Sequence, residues 1–209
     1  MANNLVQRDA NDKRRNPYAY EGFRSIHTSC IWVRISLVLP YAKMEHTVAD
    51  FGCGVGWNTK LLSLFCDRVI GIDKSQQAIE MARAKSGASN TEWLCADMSD
   101  DILPESSIDL AVSIQSLEHL DQERMRCFFA NVSKALKPGS LLVGSTTEFR
   151  KGSIANASAG HRFEPGRKDF ICMASPFFRV EKMRNDRMKT WDRGGINVEG
   201  FFMLRNKKR

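Results

Sequence analysis

The sequence has 209 residues, of which 43% are hydrophobic and 26% are charged, and its formal net charge at pH 7 is +7. These values are ordinary for one soluble globular domain with a sizeable core, and they exclude a low-complexity chain. The polar first residues predict no signal peptide, and the apolar stretch "CIWVRISLVLPYA" is too short to span a bilayer, so we expect a cytoplasmic protein.

The beginning of the chain is predicted to form an arm followed by a helix. Residues 1–21 are polar and are predicted to be the arm. Apolar residues recur at helical spacing from Ile26 to Leu37, which predicts an amphipathic helix over 22–39 that packs on the domain. We assign 22–44 to this N-terminal cap.

The following residues alternate between strand-like and helix-like segments. Helices are predicted at 58–66, 75–87 and 121–139, the second with Ser75 as its N-cap and Gly87 as its C-terminal stop. Strands are predicted at 47–52, 68–73, 91–97, 108–115 and 140–148. This alternation predicts a parallel sheet with helices on both faces. Two further strand-like segments, 177–185 and 198–206, leave no room for a crossover helix. The predicted fold class is therefore α/β, a doubly wound, mostly parallel seven-stranded sheet with an antiparallel C-terminal hairpin at one edge.

Three glycines follow the first predicted strand, in "DFGCGVG". Gly52, Gly54 and Gly56 would allow the backbone to approach a ligand closely at the carboxyl end of the sheet. Asp73 ends the second predicted strand, where an acid suits hydrogen bonds to two ribose hydroxyls. A dinucleotide and S-adenosylmethionine are the two cofactor classes left open, and the third glycine of a dinucleotide loop is not obvious.

The segment "VADFGCGVGWNTKLL" resembles the D-x-G-C-G-x-G motif of class I S-adenosylmethionine-dependent methyltransferases. Four later segments resemble further motifs of that family in the same order: "VIGIDKS", "WLCADMSD", "IDLAVSIQSLEHL" and "NVSKALKPGSLLVGSTTE". The resemblance is close over about 45–148 and implies a Rossmann-like enzyme that uses S-adenosyl-L-methionine and releases S-adenosyl-L-homocysteine. It implies one methyltransferase domain over 22–209, divided into a cofactor-binding core at 45–148, an acceptor-side insertion at 149–176 and the hairpin at 177–206.

The resemblance also implies the residues of the cofactor site. Gly52 and Gly54 would line the methionine and ribose part of the cofactor, Asp73 would hold the ribose hydroxyls, and Asp97 would accept a hydrogen bond from the adenine amino group. The remaining residues implied at this site are Asp50 and Cys53 in the glycine loop, Lys74 and Met98 beside adenine, and Ser113 with its carbonyl at the methionine ammonium.

Histidines are the candidates for the proton acceptor that methylation of a hydroxyl or amine requires. His119 follows the fourth strand beside the expected sulfonium, and His161 falls in the loop after the fifth strand. Either is a candidate base, or only shapes its loop. His27 on the N-terminal helix is expected near the substrate. No metal site is predicted, because no cysteine forms a ligand pair with histidine or a CxxC motif.

Positive charge is concentrated after the fifth strand, since residues 149–209 contain 15 Lys and Arg against 6 Asp and Glu. Arg162 and Arg167 are therefore expected to bind an anionic acceptor, although a solvated basic rim is an equal alternative. The predicted function is O-methylation of a small polar acceptor, anionic, sugar-like or nucleotide-linked. The alternatives left open are an RNA methyltransferase and a non-catalytic cofactor-binding subunit that activates another methyltransferase. The identity of the acceptor and the oligomeric state stay open.

Overall fold

Two sheets are formed by the residues that the structure describes. The structure, a computed structural model, describes residues 33–158, 160–189 and 196–208. The strands are β1 (Thr47–Phe51), β2 (Arg68–Asp73), β3 (Thr91–Cys95), β4 (Ile108–Ile114), β5 (Leu136–Thr147), β6 (Ile154–Ser158), β7 (His161–Glu164), β8 (Phe178–Lys189) and β9 (Ile196–Asn206). Seven of them form one sheet in the order β3-β2-β1-β4-β5-β9-β8, and β6 pairs with β7 separately.

The large sheet is parallel over its first five strands. β1 pairs in parallel with both β2 and β4, β2 pairs with β3, and β4 pairs with β5. β9 then pairs antiparallel with both β5 and β8. The predicted fold class, including the antiparallel hairpin at one edge, is confirmed.

Each face of the sheet carries its own apolar core beneath helices. The helices are α1 (Trp57–Leu62), α2 (Gln76–Ser86), α3 (Gln122–Ala135) and α4 (Arg167–Ala174). On one face, the ring of Phe51 meets the edge of Phe128 from α3, with centroids 5.5 Å apart. On the other face, Val48 packs in a cluster with Leu62 of α1 and with Ile35. Successive β1 side chains alternate between the two cores, as strand geometry requires.

The ends of two helices differ from those predicted. α3 ends at Ala135 rather than at Gly139, because buried Leu136 is extended and pairs with Ile108 of β4. Pro138 reinforces this ending, since a proline disfavours the helical conformation in the residue before it. α1 ends at Leu62 rather than at Cys66. Its following turn is held by the side-chain amide of Asn90, which donates to the carbonyls of Ser63 and Cys66, each at 2.9 Å.

The caps of α2 are as predicted. The Ser75 side chain accepts a hydrogen bond from the Ala78 N–H, and Gly87 ends the helix in the left-handed conformation. Such caps satisfy backbone groups that a helix end leaves without partners.

The insertion after β5 contains a short antiparallel strand pair, β6 and β7, that was not predicted. The expectation that His161 lies in a loop is wrong, because His161 begins β7 and pairs with Ser158 of β6. Of the predicted N-terminal helix, residues 33–36 are helical and a 3-10 turn follows at Leu39–Tyr41. The rest of that helix and the arm at 1–21 lie outside the described residues.

Candidate functional site

A cavity of about 550 Å³ opens at the carboxyl ends of β1 to β4. That volume is in the usual range for a small-molecule site, and this end of a doubly wound sheet is where such sites form. Eight residues predicted to be functional line it: Gly52, Gly54, Asp73, Lys74, Asp97, Met98, His119 and Arg162. The sequence-based reasoning therefore predicted most of the cavity wall, from five separate segments of the chain.

The glycine loop after β1 is shaped by left-handed backbone conformations. Gly52, Gly54 and Gly56 have φ angles of 74°, 55° and 84°. A Cβ added at Gly52 would lie 2.4 Å from Ser116 Cβ, whereas one added at Gly54 would meet nothing within 4 Å. Gly52 thus allows the loop to approach the residues after β4, and Gly54 leaves space beside the cavity.

Asp73 joins this loop to the end of β2. Its Oδ2 accepts a hydrogen bond from the Gly54 N–H, and its Oδ1 accepts one from the Ser75 N–H, both at 2.9 Å. A carboxylate has about four lone-pair sites. Each oxygen of Asp73 can therefore accept a second hydrogen bond from a ligand hydroxyl while it holds the loop.

Asp97 is an ionised acceptor on the β3 side of the cavity. Its Oδ1 accepts hydrogen bonds from the Ser99 N–H at 3.0 Å and the Ser99 hydroxyl at 2.6 Å, and its Oδ2 pairs with Arg124. Partial burial opposes ionisation, but these hydrogen bonds and the Arg124 charge hold the pKa of Asp97 below its usual range. Met98 follows it and is buried at the cavity wall.

Three predicted cofactor residues lie beneath the loop rather than in the cavity wall. Asp50 is buried and accepts a hydrogen bond from the Thr59 hydroxyl at 2.6 Å, and burial raises the pKa of Asp50 to about 6. Cys53 is also buried, and burial raises the pKa of its thiol. The Ser113 hydroxyl lies 2.7 Å from Ser116 Oγ. Asp50 and Ser113 are thus held inside the protein, and Cys53 is a buried residue of the glycine loop itself.

Ser116 connects the ends of β4 and β1. Its hydroxyl donates to the Phe51 carbonyl at 3.0 Å and lies 2.7 Å from the Ser113 hydroxyl. Because the Ser116 proton goes to Phe51, the Ser113 hydroxyl is the donor between the two serines. This buried chain fixes the position of the cavity wall after β4.

Two histidines meet on the acceptor side of the site. His119 lines the cavity, and its ring is 5.3 Å from that of His161, centroid to centroid. His119 Nδ1 lies 2.7 Å from the Gly160 carbonyl oxygen, and His161 Nδ1 lies 2.7 Å from Glu164 Oε1. A carbonyl accepts only, so Nδ1 of His119 carries the proton and Nε2 is its basic nitrogen in the neutral ring.

The acid of the Leu-Glu-His segment lies beneath this pair. Glu118 is 1% exposed and accepts a hydrogen bond from the Thr146 hydroxyl at 3.0 Å. Burial raises the pKa of Glu118 despite this hydrogen bond and the two nearby histidines.

The two predicted acceptor-side arginines are separated by the fold. Arg162 is exposed and lines the cavity. Arg167 begins α4, and its Nη2 donates to the Met183 carbonyl of β8 at 2.8 Å, so this contact connects two elements of the fold. His27, the third predicted substrate residue, lies outside the described residues.

Four cavity residues were missed by the sequence-based reasoning: Gln115, Ser116, Leu120 and Gly160. Gln115 has a φ of 50°, which is uncommon for a residue other than glycine and is often found at functional sites. Its N–H donates to the Ser145 carbonyl at 2.8 Å, which holds this conformation. The available signal was position alone, since Gln115 ends the predicted fourth strand and Ser116 directly follows it.

Comparison with known proteins agrees with the fold. Residues 48–139 match a family described as a methyltransferase domain. The chain is 34% identical over 114 residues to the O-methyltransferase cnsE of Penicillium expansum, a match that covers 52% of this chain and 40% of that protein. It is 36% identical over 101 residues to the malonyl-[acyl-carrier protein] O-methyltransferase of Hahella chejuensis, covering 47% and 36%. The chain thus spans less than half the length of these curated relatives.

Among solved structures, the N-methyltransferase NodS of Bradyrhizobium japonicum in complex with S-adenosyl-L-homocysteine has the same fold. The TM-score is 0.70 at 20% identity, and the match covers 97% of each chain. At this identity the likeness shows the fold, and the family match is what gives the class of protein. Residues 48–139 are a class I S-adenosylmethionine-dependent methyltransferase domain. The predicted family and cofactor are confirmed.

The residues present fit S-adenosylmethionine. The open space beside Gly54 accommodates a ligand against the backbone, and Asp73 and Asp97 offer carboxylate acceptors at two separate points of one cavity. Over the described residues, helices long and apolar enough to cross a membrane are absent.

Proposed function

We propose that the protein transfers a methyl group from S-adenosylmethionine to an oxygen of a small polar acceptor, of an anionic, sugar-like or nucleotide-linked class. The observation that carries this proposal is the pair of rings formed by His119 and His161. His119 and Arg162 line the same cavity as Asp73 and Asp97. The curated relatives support oxygen as the acceptor atom, because they include O-methyltransferases of Penicillium expansum and Hahella chejuensis.

The cofactor side of the cavity would be held by residues from three loops. Asp73 would accept hydrogen bonds from the ribose hydroxyls, Gly54 would leave space for the ligand, and Asp97 with Met98 would contact adenine. When bound, S-adenosylmethionine supplies a methyl group activated by its sulfonium, and the product after transfer to oxygen is S-adenosylhomocysteine. The protein's main contribution is then alignment of the two reactants.

The proton of the acceptor hydroxyl would leave on the histidine side. Nε2 of His119 is its basic nitrogen, since Nδ1 is hydrogen-bonded to the Gly160 carbonyl at 2.7 Å. Buried Glu118 lies close enough to favour a positive charge on either ring. Arg162 would attract an anionic group of the acceptor, and its exposure suits recognition of a ligand that enters from solvent.

The test is transfer of tritium from methyl-labelled S-adenosylmethionine, with the full chain incubated separately with fractionated metabolites and with total RNA. Label in a small polar product that requires His119 supports the proposal, and His119→Gln is the variant to compare. Label in RNA favours the alternative nucleic-acid substrate. Binding of S-adenosylhomocysteine without transfer to any fraction overturns catalysis by the isolated chain and favours a cofactor-binding subunit.

A further inference from the structure

Glu118, His119 and His161 form a compact group of metal-ligating side chains at the cavity. One potential ligand atom from each residue lies within 4.8 Å of the others. The three come from two elements, since Glu118 and His119 lie in the 3-10 turn Leu117–His119 after β4 and His161 begins β7. Contact between this turn and β7 brings them together, although they are far apart in the sequence.

Each histidine of the group is oriented by a hydrogen bond at its other nitrogen. His119 Nδ1 is held by the Gly160 carbonyl and His161 Nδ1 by the Glu164 carboxylate, both at 2.7 Å. Hydrogen bonds of this kind, to a carbonyl or a carboxylate, are what fix the tautomer of histidines that bind metals through Nε2. Both Nε2 atoms are then the nitrogens left to bind a cation.

The carboxylate of Glu118 supplies the charge that a cation needs. It is 1% exposed, and the Thr146 hydroxyl accounts for one of its lone-pair sites. A buried carboxylate is costly unless it is paired or binds a metal. A cation held between the carboxylate and two imidazoles would compensate this charge more completely than a hydroxyl does.

We propose that Glu118, His119 and His161 bind one divalent first-row transition-metal cation. Two imidazoles and one carboxylate are a donor set that suits zinc, iron, cobalt or manganese, whereas magnesium prefers oxygen ligands and retains water. Three protein ligands leave positions open for a further ligand. On the proposed function, that ligand is the acceptor hydroxyl, whose pKa the cation lowers. Because Nε2 of His119 is then a metal ligand, the proton of the hydroxyl passes to solvent water instead of to His119.

The site has a direct binding test. Tag-free full-length protein, freed of metal with EDTA and then dialysed, is titrated with Co²⁺ while visible absorption is recorded, and Zn²⁺ is then added as a competitor. We expect one equivalent of Co²⁺ with ligand-field bands in the visible region, displaced by one equivalent of Zn²⁺. Magnesium at the same concentration should displace neither ion.

Two ligand variants and one control make the test specific. Glu118→Gln and His161→Gln should each weaken Co²⁺ binding by at least about tenfold, since even loss of an outer hydrogen bond typically costs 10- to 100-fold. His46→Gln is the control, because His46 lies before β1, at the opposite end of the strands from the cavity. Circular dichroism and thermal unfolding identify a misfolded variant. His161→Gln is less prone to misfold than Glu118→Gln, because the His161 side chain is partly exposed.

Two results would overturn the proposal. One is that the wild type binds no Co²⁺ at millimolar concentration. The other is that folded Glu118→Gln and His161→Gln bind Co²⁺ as strongly as the wild type. Binding of S-adenosylhomocysteine and methyl transfer are measured on the same samples. Methyl transfer without metal binding refutes the cation site and leaves the proposed function standing. Metal binding at this site without methyl transfer supports the cation site and refutes the proposed function.

Discussion

Asp73 Oδ2 accepts a hydrogen bond from the Gly54 N–H at 2.9 Å, so the acid that ends β2 also holds the glycine loop that follows β1. The same carboxylate is fixed a second time by the Ser75 N–H. Asp73 is therefore both a candidate ligand of ribose and a structural element of the loop that a cofactor must contact. A change at this position removes two functions together.

Asp73→Ala should lower the affinity for S-adenosylhomocysteine at least about tenfold, because charge-assisted hydrogen bonds contribute roughly 1.5 to 3 kcal/mol each. Isothermal titration of wild type and variant measures the difference. Asp67→Ala is the matched control, since Asp67 is exposed and lies before β2, at the other end of that strand. An unchanged dissociation constant in Asp73→Ala would show that the cofactor does not use this carboxylate.

Gly52→Ala should cost more stability than Gly87→Ala, although both glycines have a positive φ, 74° and 60° respectively. Alanine in a left-handed conformation costs roughly 1 to 2 kcal/mol at either site. At position 52 the new methyl group also meets Ser116 Cβ at 2.4 Å, whereas at position 87 it meets nothing within 4 Å. Thermal unfolding compares the two, and equal losses of melting temperature would contradict the close approach of the loop to Ser116.

Arg162→Ala and Arg167→Ala should have different effects. Arg162 lines the cavity, so its loss should raise the KM for an anionic acceptor while the melting temperature changes little. Arg167 donates to the Met183 carbonyl, so its loss should reduce stability, by roughly 0.5 to 3 kcal/mol, more than it changes acceptor binding. Kinetics and thermal unfolding of both variants provide the comparison. Identical acceptor kinetics in wild type and Arg162→Ala would assign Arg162 to a solvated rim.

Asp50→Asn should change how stability depends on pH. The pKa of Asp50 is about 6 in the folded protein against an ordinary value of 3.8, so the folded state binds more protons than the unfolded state between these values. Stability of the wild type therefore falls as pH rises from about 4 to 6, by roughly 3 kcal/mol from this residue alone. Asparagine can still accept the Thr59 hydrogen bond but does not titrate.

The stability of Asp50→Asn relative to wild type should thus improve from pH 4 to pH 7. Urea unfolding at several pH values measures the difference in free energy, and Asp67→Asn is the exposed control. If the difference in unfolding free energy between Asp50→Asn and wild type stays constant over this range, a raised pKa of Asp50 in the folded protein is contradicted.

Structural features that depend on residues close together in the chain could be predicted from the sequence. The apolar strands, the Ser75 cap, the glycine loop and the acid at position 73 each follow from local periodicity, turn chemistry or position at a strand end. The resemblance to a known family supplied the role of Asp97. Those local signals determine the parallel core and much of the cavity wall, because each parallel strand ends at the same edge of the sheet.

Features that depend on contacts between residues far apart in the chain could not be predicted from the sequence. The end of α3 is decided by pairing between Leu136 and Ile108, and the strand at His161 by pairing with β6. The burial of Glu118 and its closeness to His161 follow from the way the insertion folds back on the turn after β4, which residue spacing does not encode. The roles of Arg162 and Arg167 were likewise separated only by contacts made in three dimensions.

The position of β9 between β5 and β8 has a consequence for synthesis of the chain. β9 covers the outer edge of β5, which includes buried Leu142 and Val143. β9 extends from Ile196 to Asn206, so it is synthesised well after β5. Until β9 has emerged from the ribosome, β5 presents unpaired N–H and C=O groups beside apolar side chains. Exposed edges of this kind pair with other chains. The nascent protein is therefore most prone to aggregate after β5 has emerged and before β9 has followed it, and this interval is when a chaperone would protect it best.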